Sequence, residues 1–188
     1  MSKTAPSAFT LSVRDLVHRA GEMREHALDI PARENLGDGL VSVKQGSELH
    51  LDLRLEGLHE GILVSADVDA TATGVCGRCL RDISLPVEVE FAELFAYTAD
   101  DAFDYTVHDD HVDLEPVVRD AVVLSLPFQP VCQPDCPGLD PETGERLADV
   151  PDRTPREVLD PRWAVLDGYL AQDSETDGAG DGAGREKR

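Results

Sequence analysis

Leu49-His50-Leu51-Asp52-Leu53-Arg54-Leu55-Glu56 alternates apolar and polar side chains without a slip. A period of two puts the four leucines on one face of an extended chain and His50, Asp52, Arg54 and Glu56 on the other, the signature of a half-buried strand. After a turn at Leu58-His59-Glu60-Gly61 the pattern returns, with Ile62, Val64, Ala66, Val68, Ala70 and Ala72 on one face. Ser65, Asp67, Asp69, Thr71 and Thr73 take the opposite face. A third run sets Ile83, Leu85, Val87, Val89 and Phe91 against Ser84, Pro86, Glu88 and Glu90, and Leu94, Phe95 and Tyr97 extend its apolar surface. Three alternating strands joined by short connections predict an antiparallel meander.

Upstream, Phe9–Val13 reads as a short first strand, and residues 15–23 as a helical turn or loop. A weaker alternation from Arg24 to Ile30 ends at Pro31, which suits an edge strand because proline cannot donate to a ladder. Downstream, residues 100–113 crowd Asp100, Asp101, Asp104, Asp109 and Asp110 together. The segment lacks the glycine and the spaced oxygen ligands of a calcium loop, so a solvated loop is expected, with His108 and His111 on its surface. Asp113 fits a helix N-cap, with Glu115 and Pro116 in the first turn. Val117, Val118, Ala121, Val122 and Leu124 follow at helical spacing to Ser125, and Leu126-Pro127 ends the helix.

The helix's apolar stripe should lie across the meander and close a two-layer core. The fold class is therefore α+β: an antiparallel β meander or partly closed sheet packed by one main helix. A single domain is expected over residues 1–170, with an irregular segment at 137–155 and a short C-terminal helix at Arg162–Leu170. Residues 171–188 collapse to Asp, Glu, Gly, Ala and Ser before a charged end, the composition of a disordered tail.

Across 188 residues, 38 acidic side chains face 17 basic ones, for a formal charge of −21. Such a chain is poorly suited to neutralise phosphates, which argues against DNA and against an anionic membrane. Basic partners are favoured, through contacts that weaken with salt, although acidity also serves solubility alone. Met1–Thr10 has neither the basic start nor the apolar stretch of a signal peptide, so a cytoplasmic location is expected, where thiols stay reduced.

Chemistry concentrates in four cysteines, Cys76 and Cys79 in Cys-Gly-Arg-Cys and Cys132 and Cys136 in Cys-Gln-Pro-Asp-Cys. Three readings are open. The four thiolates can form a closed tetrahedral zinc site tying the meander's end to the segment after the helix. Alternatively, Cys76 and Cys79 form a redox pair, although that chemistry wants the first thiol at a helix N-terminus and here a strand follows. Thirdly, the thiols are inert. No GxSxG, HExxH or phosphate-binding loop occurs in the chain.

Gly74-Val75-Cys76-Gly77-Arg78-Cys79-Leu80, then Asp113-Leu114-Glu115-Pro116-Val117-Val118-Arg119-Asp120, then Leu126-Pro127-Phe128-Gln129-Pro130-Val131-Cys132, and finally Asp160-Pro161-Arg162-Trp163-Ala164-Val165-Leu166 follow in an order that resembles the YceD family. These are the large ribosomal RNA subunit accumulation proteins, and the likeness covers about Phe9 to Leu170. The resemblance implies a non-enzymatic factor in ribosome biogenesis with no catalytic residues to transfer. It points to a ribosomal protein or assembly factor as partner. Large-subunit ribosomal RNA is the alternative, met through a patch such as Arg78 and Arg81, which equally serve as ordinary surface charges. Many cysteine-bearing relatives continue the second pair as GLCPxCG. Here Asp140 and Thr143 stand at those cysteine positions, so a zinc site in this chain needs Cys76 and Cys79 together with Cys132 and Cys136.

Overall fold

The structure is a computed structural model that describes residues 7–99 and 103–150. The expected C-terminal helix and tail, with residues 151–155 of the irregular segment, lie outside the described residues. Two compact units divide the chain, Met1–Leu139 and Asp140–Arg188.

In the first unit the three alternating runs become β4 (Glu48–Gly57), β5 (Gly61–Val75) and β6 (Asp82–Ala96). They pair antiparallel in sequence, from His50↔Asp69 to Gly57↔Ile62 and from Gly61↔Ala96 to Val75↔Asp82. The preceding strand β2 (Met23–Pro31) pairs with β4 and forms one edge, where Pro31 costs no ladder bond. A two-residue strand β3 (Val41–Ser42) lies against the far end of β5, and the sheet stays open.

Leu49, Leu51, Leu53 and Leu55 are all buried, as are Ile62, Val64, Ala66 and Val68. The register makes this inevitable: Leu51 faces Val68 and Leu55 faces Val64, so both runs present the same face. Helix α1 (Glu115–Ser125) adds Val117, Val118 and Val122 to this core. The N-cap position falls on Leu114 rather than on Asp113 as expected, because Asp113 still ends the preceding strand; its carboxylate nonetheless accepts the Glu115 amide at 3.1 Å. Leu124 departs from the expected stripe and is 85 % exposed. Helical spacing does set position 124 on nearly the same face as Val117, seven residues earlier, so its exposure in the last turn does not come from its angle.

The acidic segment before the helix is more ordered than expected. Tyr105–Thr106 (β7) runs parallel to Phe95–Ala96, and His111–Asp113 (β8) pairs antiparallel with β1 (Thr10–Ser12). A tight turn makes this happen. His108 and His111 exchange backbone hydrogen bonds at 2.9 Å, while Asp109 and Asp110 both adopt positive φ, 49° and 60°. Two consecutive left-handed residues define a type I′ hairpin turn, usually signalled by glycine and here built from two aspartates. Val112 is thereby fully buried, while both histidines stay exposed.

The outer face of the sheet is acidic. Asp52 lies opposite Asp67, and Asp67 opposite Glu90, while Asp69 lies opposite Glu88. Like charges directly opposite one another destabilise a sheet. His50 partly offsets this, with Nδ1 at 2.5 Å from the Asp29 carboxylate and Nε2 at 3.7 Å from Asp52. The hydrogen bond to Asp29, opposed by desolvation and helped by the charges of Asp29, Asp52 and Asp69, raises the His50 pKa above its ordinary value. The folded-state pKa is the raised one, so this contribution to stability is complete below the unfolded value and is lost as pH rises through the folded one. An NMR titration should place His50 above the ordinary histidine range, and Asp29→Asn should return it most of the way.

In the second unit, Asp140 closes a turn on itself. Its carboxylate accepts the amides of Glu142 and Thr143 at 2.8 and 2.9 Å, and a single 3-10 turn follows at Leu147–Asp149.

Candidate metal centre

The long hairpin of β5 and β6 ends in the six residues Cys76–Arg81. The Cys76 amide donates to the Arg81 carbonyl at 2.8 Å and the Leu80 amide to the Cys76 carbonyl at 3.0 Å. Leu80 turns the chain back with a φ of 55°, a conformation that costs a non-glycine residue roughly 1–2 kcal/mol. The loop is thus a knuckle that aims Cys76 and Cys79 inward, where both are buried.

Gly74 sets the position of this knuckle. A Cβ there would run into the Leu40 carbonyl, because β3 crosses β5 at Val41↔Gly74. The close crossing also seats the Val75 amide on the Leu40 carbonyl at 3.0 Å.

The second cysteine pair arrives on the segment after α1. The Gly77 amide donates to the Pro130 carbonyl at 2.8 Å and the Cys132 amide to Cys76 Sγ at 3.4 Å. Arg78 extends across the gap and donates through Nη1 to the carbonyls of Pro134 and Cys136, each at 3.2 Å. Beyond the RNA contact or plain surface charge that the sequence suggested for Arg78, its guanidinium links the two cysteine loops. Hydrogen bonds from a charged donor contribute about 1.5–3 kcal/mol, and exposure of this side chain lowers that. Arg78→Ala is therefore expected to cost about 1 kcal/mol in a denaturant melt, and Arg78→Lys to recover part of it, since both bonds leave from one nitrogen and an ammonium can also donate twice.

These contacts bring all four sulfurs together. Cys76 Sγ lies 3.9 Å from Cys136 Sγ and Cys79 Sγ 3.7 Å from Cys132 Sγ, and every sulfur is within 4.8 Å of the others. A tetrahedral site with metal–sulfur bonds of about 2.3 Å needs sulfurs about 3.8 Å apart. The four thiols are free of disulfides, and they are the one cluster with metal-ligand geometry found among the described residues. Four soft thiolate donors suit zinc or an iron–sulfur centre better than calcium or magnesium. The arrangement can hold a metal ion.

The electrostatics of the cluster are uneven. Backbone amides of Cys79, Arg78 and Cys132 hold the Cys76 thiol down at about 6, against the opposing effect of burial. Desolvation among the other sulfurs, together with their hydrogen bonds, pushes Cys132 up to about 12, and desolvation raises Cys136 as well. Amide donors that favour a thiolate at Cys76 equally favour a metal-bound sulfur there. His108 and His111 take no part: His108 Nε2 bonds the Thr106 hydroxyl at 2.8 Å, and His111 Nδ1 the Asp109 carbonyl at 2.6 Å.

Comparison with known proteins gives a consistent picture. The family described as "Large ribosomal RNA subunit accumulation protein YceD" matches residues 64–168, a span that contains all four quoted stretches. An uncharacterized protein of Mycobacterium tuberculosis strain H37Rv is 42% identical over 178 residues, covering 90% of this chain and 85% of its own. One from Mycobacterium leprae is 37% identical over 185 residues, covering 92% and 84%. The uncharacterized protein YlbN of Bacillus subtilis is 33% identical over 106 residues, covering 54% and 62%. No solved structure matches. No helix among the described residues is long and apolar enough to cross a membrane.

Proposed function

Because the chain belongs to the YceD family of large ribosomal RNA subunit accumulation proteins, we propose that it supports accumulation of that RNA as a non-enzymatic binding module. In this reading its first partner is a basic ribosomal protein or assembly factor rather than naked RNA. The observation that carries the reading is the outer face of the sheet. Asp52, Asp67 and Glu90 form one line across three strands, with Asp69 and Glu88 beside it. Asp52, Asp67 and Glu90 line an open trough of about 970 Å³ together with Glu25 and Arg54. Such rows weaken the fold, and a cationic partner relieves the repulsion while gaining rate and register from the field.

Zinc is the metal this reading assigns to Cys76, Cys79, Cys132 and Cys136. With four protein ligands it has no open position for substrate, so its contribution is to fasten the hairpin end to the segment after the helix. The lowered Cys76 thiol supports a second reading, a thiol redox protein or sensor working through Cys76 and Cys79. Metal content and thiol titration separate the two: stoichiometric zinc with unreactive thiols supports the fastening, and metal-free protein with a reactive Cys76 supports redox work.

The binding role is tested by recovering partners of the tagged chain from lysate, with and without RNase, over a salt series. A basic ribosomal or assembly protein should persist after RNase and fall away as salt rises. Loss of every ribosomal partner on RNase treatment would overturn the protein-first reading.

A further inference from the structure

Strand β6 pairs with β5 along its whole length, but with β7 only at Phe95 and Ala96. From Asp82 to Leu94 its other side meets no strand among the described residues. About half of a strand's backbone groups point to that side; Pro86 has no amide to donate there, so the uninterrupted unpaired template runs from Val87 to Leu94.

Burial across the sheet also stops short there. On the core side, Leu85, Val89 and Phe91 are only partly buried, with Val87 buried between them, whereas the β5 neighbours of those three, Ala72, Val68 and Ala66, are buried. At the same edge a notch of about 210 Å³ opens between Leu85–Glu88 and Ser125–Pro127. It has room for one aliphatic side chain. On the outer side, Glu88 and Glu90 end the two carboxylate rows.

We propose that β6 takes up an extended segment of a partner protein as an added strand along Val87–Leu94, with lysine or arginine on the outer face and aliphatic side chains on the inner. This rests on the reading of a basic protein partner and names the surface that receives it. Main-chain bonds would supply the affinity, and the notch and the glutamates the specificity. Charge decides the occupant. A second copy pairing antiparallel about the Glu88–Glu90 stretch would set glutamate against glutamate, which is unfavourable, whereas a basic strand continues each row with the opposite sign.

The test uses the full isotopically labelled chain and a synthetic peptide of about ten alternating lysines and valines, near strand length. At saturation, exchange of the alternate amides within residues 87–94 that do not bond to β5 should slow by at least about tenfold. A peptide N-methylated at alternate amides should lose this protection, and Glu88→Lys with Glu90→Lys should weaken binding about tenfold. If that double variant does not fold, the methylated peptide on the unmutated chain still decides. Several outcomes would overturn the proposal: no binding, equal binding by the methylated peptide, protection confined to β2 and β4, or protection of the outward β6 amides already present in the free chain or appearing only with its concentration. None of these changes the result of the RNase experiment, so failure of this surface and failure of the binding role are separable.

Discussion

Stripping metal from the protein with a strong chelator is expected to lower its melting temperature by about 10 °C without abolishing the fold. A ligand present at about a thousand times its dissociation constant stabilises by about 4 kcal/mol. For a chain of this size each kcal/mol moves the midpoint by about 2–4 °C. The effect should fall short of the complete unfolding seen in isolated zinc fingers, for two structural reasons. The core that joins β4, β5 and α1 is separate from the small cluster of Cys76, Cys79 and Cys136. The two cysteine loops also hold one another without metal, through Gly77 to Pro130 and Arg78 to Pro134 and Cys136. Cys76→Ser should reproduce most of the loss and make added chelator nearly silent. A variant that melts like the parent, with or without chelator, would make the cysteines incidental.

The second large effect lies in the strand that decides the fold. Leu51→Ala should cost about 3–4 kcal/mol, because the site is fully enclosed and collapses poorly on the cavity left behind. Asp67→Asn, on the opposite face of the adjacent strand, should do the reverse. Asp67 is exposed between Asp52 and Glu90, so its neutralisation should stabilise by a few tenths of a kcal/mol at low salt and by almost nothing once salt screens the row. Denaturant melts of both variants at low and high salt check the pair. A stabilising gain at Asp67 that survives high salt would show that repulsion across the outer face is not its source.

The central meander was readable because its alternation is long and its register leaves no choice. A one-residue slip would place Leu49, Leu51, Leu53 and Leu55 in water. Shorter pairings left less trace. Strand β8 is three residues long and follows an Asp-Asp turn, where the usual glycine signal for a left-handed pair is missing. Leu124 was placed on the buried stripe by helical spacing, which sets it seven residues beyond the buried Val117 but does not say how far along the helix the covered surface extends.

The cysteines themselves could be picked out from sequence, but their meeting could not. It depends on β5 and β6 carrying the knuckle to one end of the sheet and on the segment after α1 returning to that same end. Arg78 illustrates the limit. Its role depends on carbonyls 56 and 58 residues away along the chain, and nothing local distinguishes a clamping arginine from a solvated one. The acidic balance was evident from composition alone. Its arrangement into rows across β4, β5 and β6 needed the register.

X-ray absorption at the zinc edge of the purified full chain bears most directly on the fastening of the two cysteine pairs. One zinc per chain surrounded by four sulfurs at about 2.3 Å is the expected result. Two sulfurs accompanied by nitrogen or oxygen ligands, or a zinc content near zero in protein purified without chelator, would contradict a single centre built from Cys76, Cys79, Cys132 and Cys136.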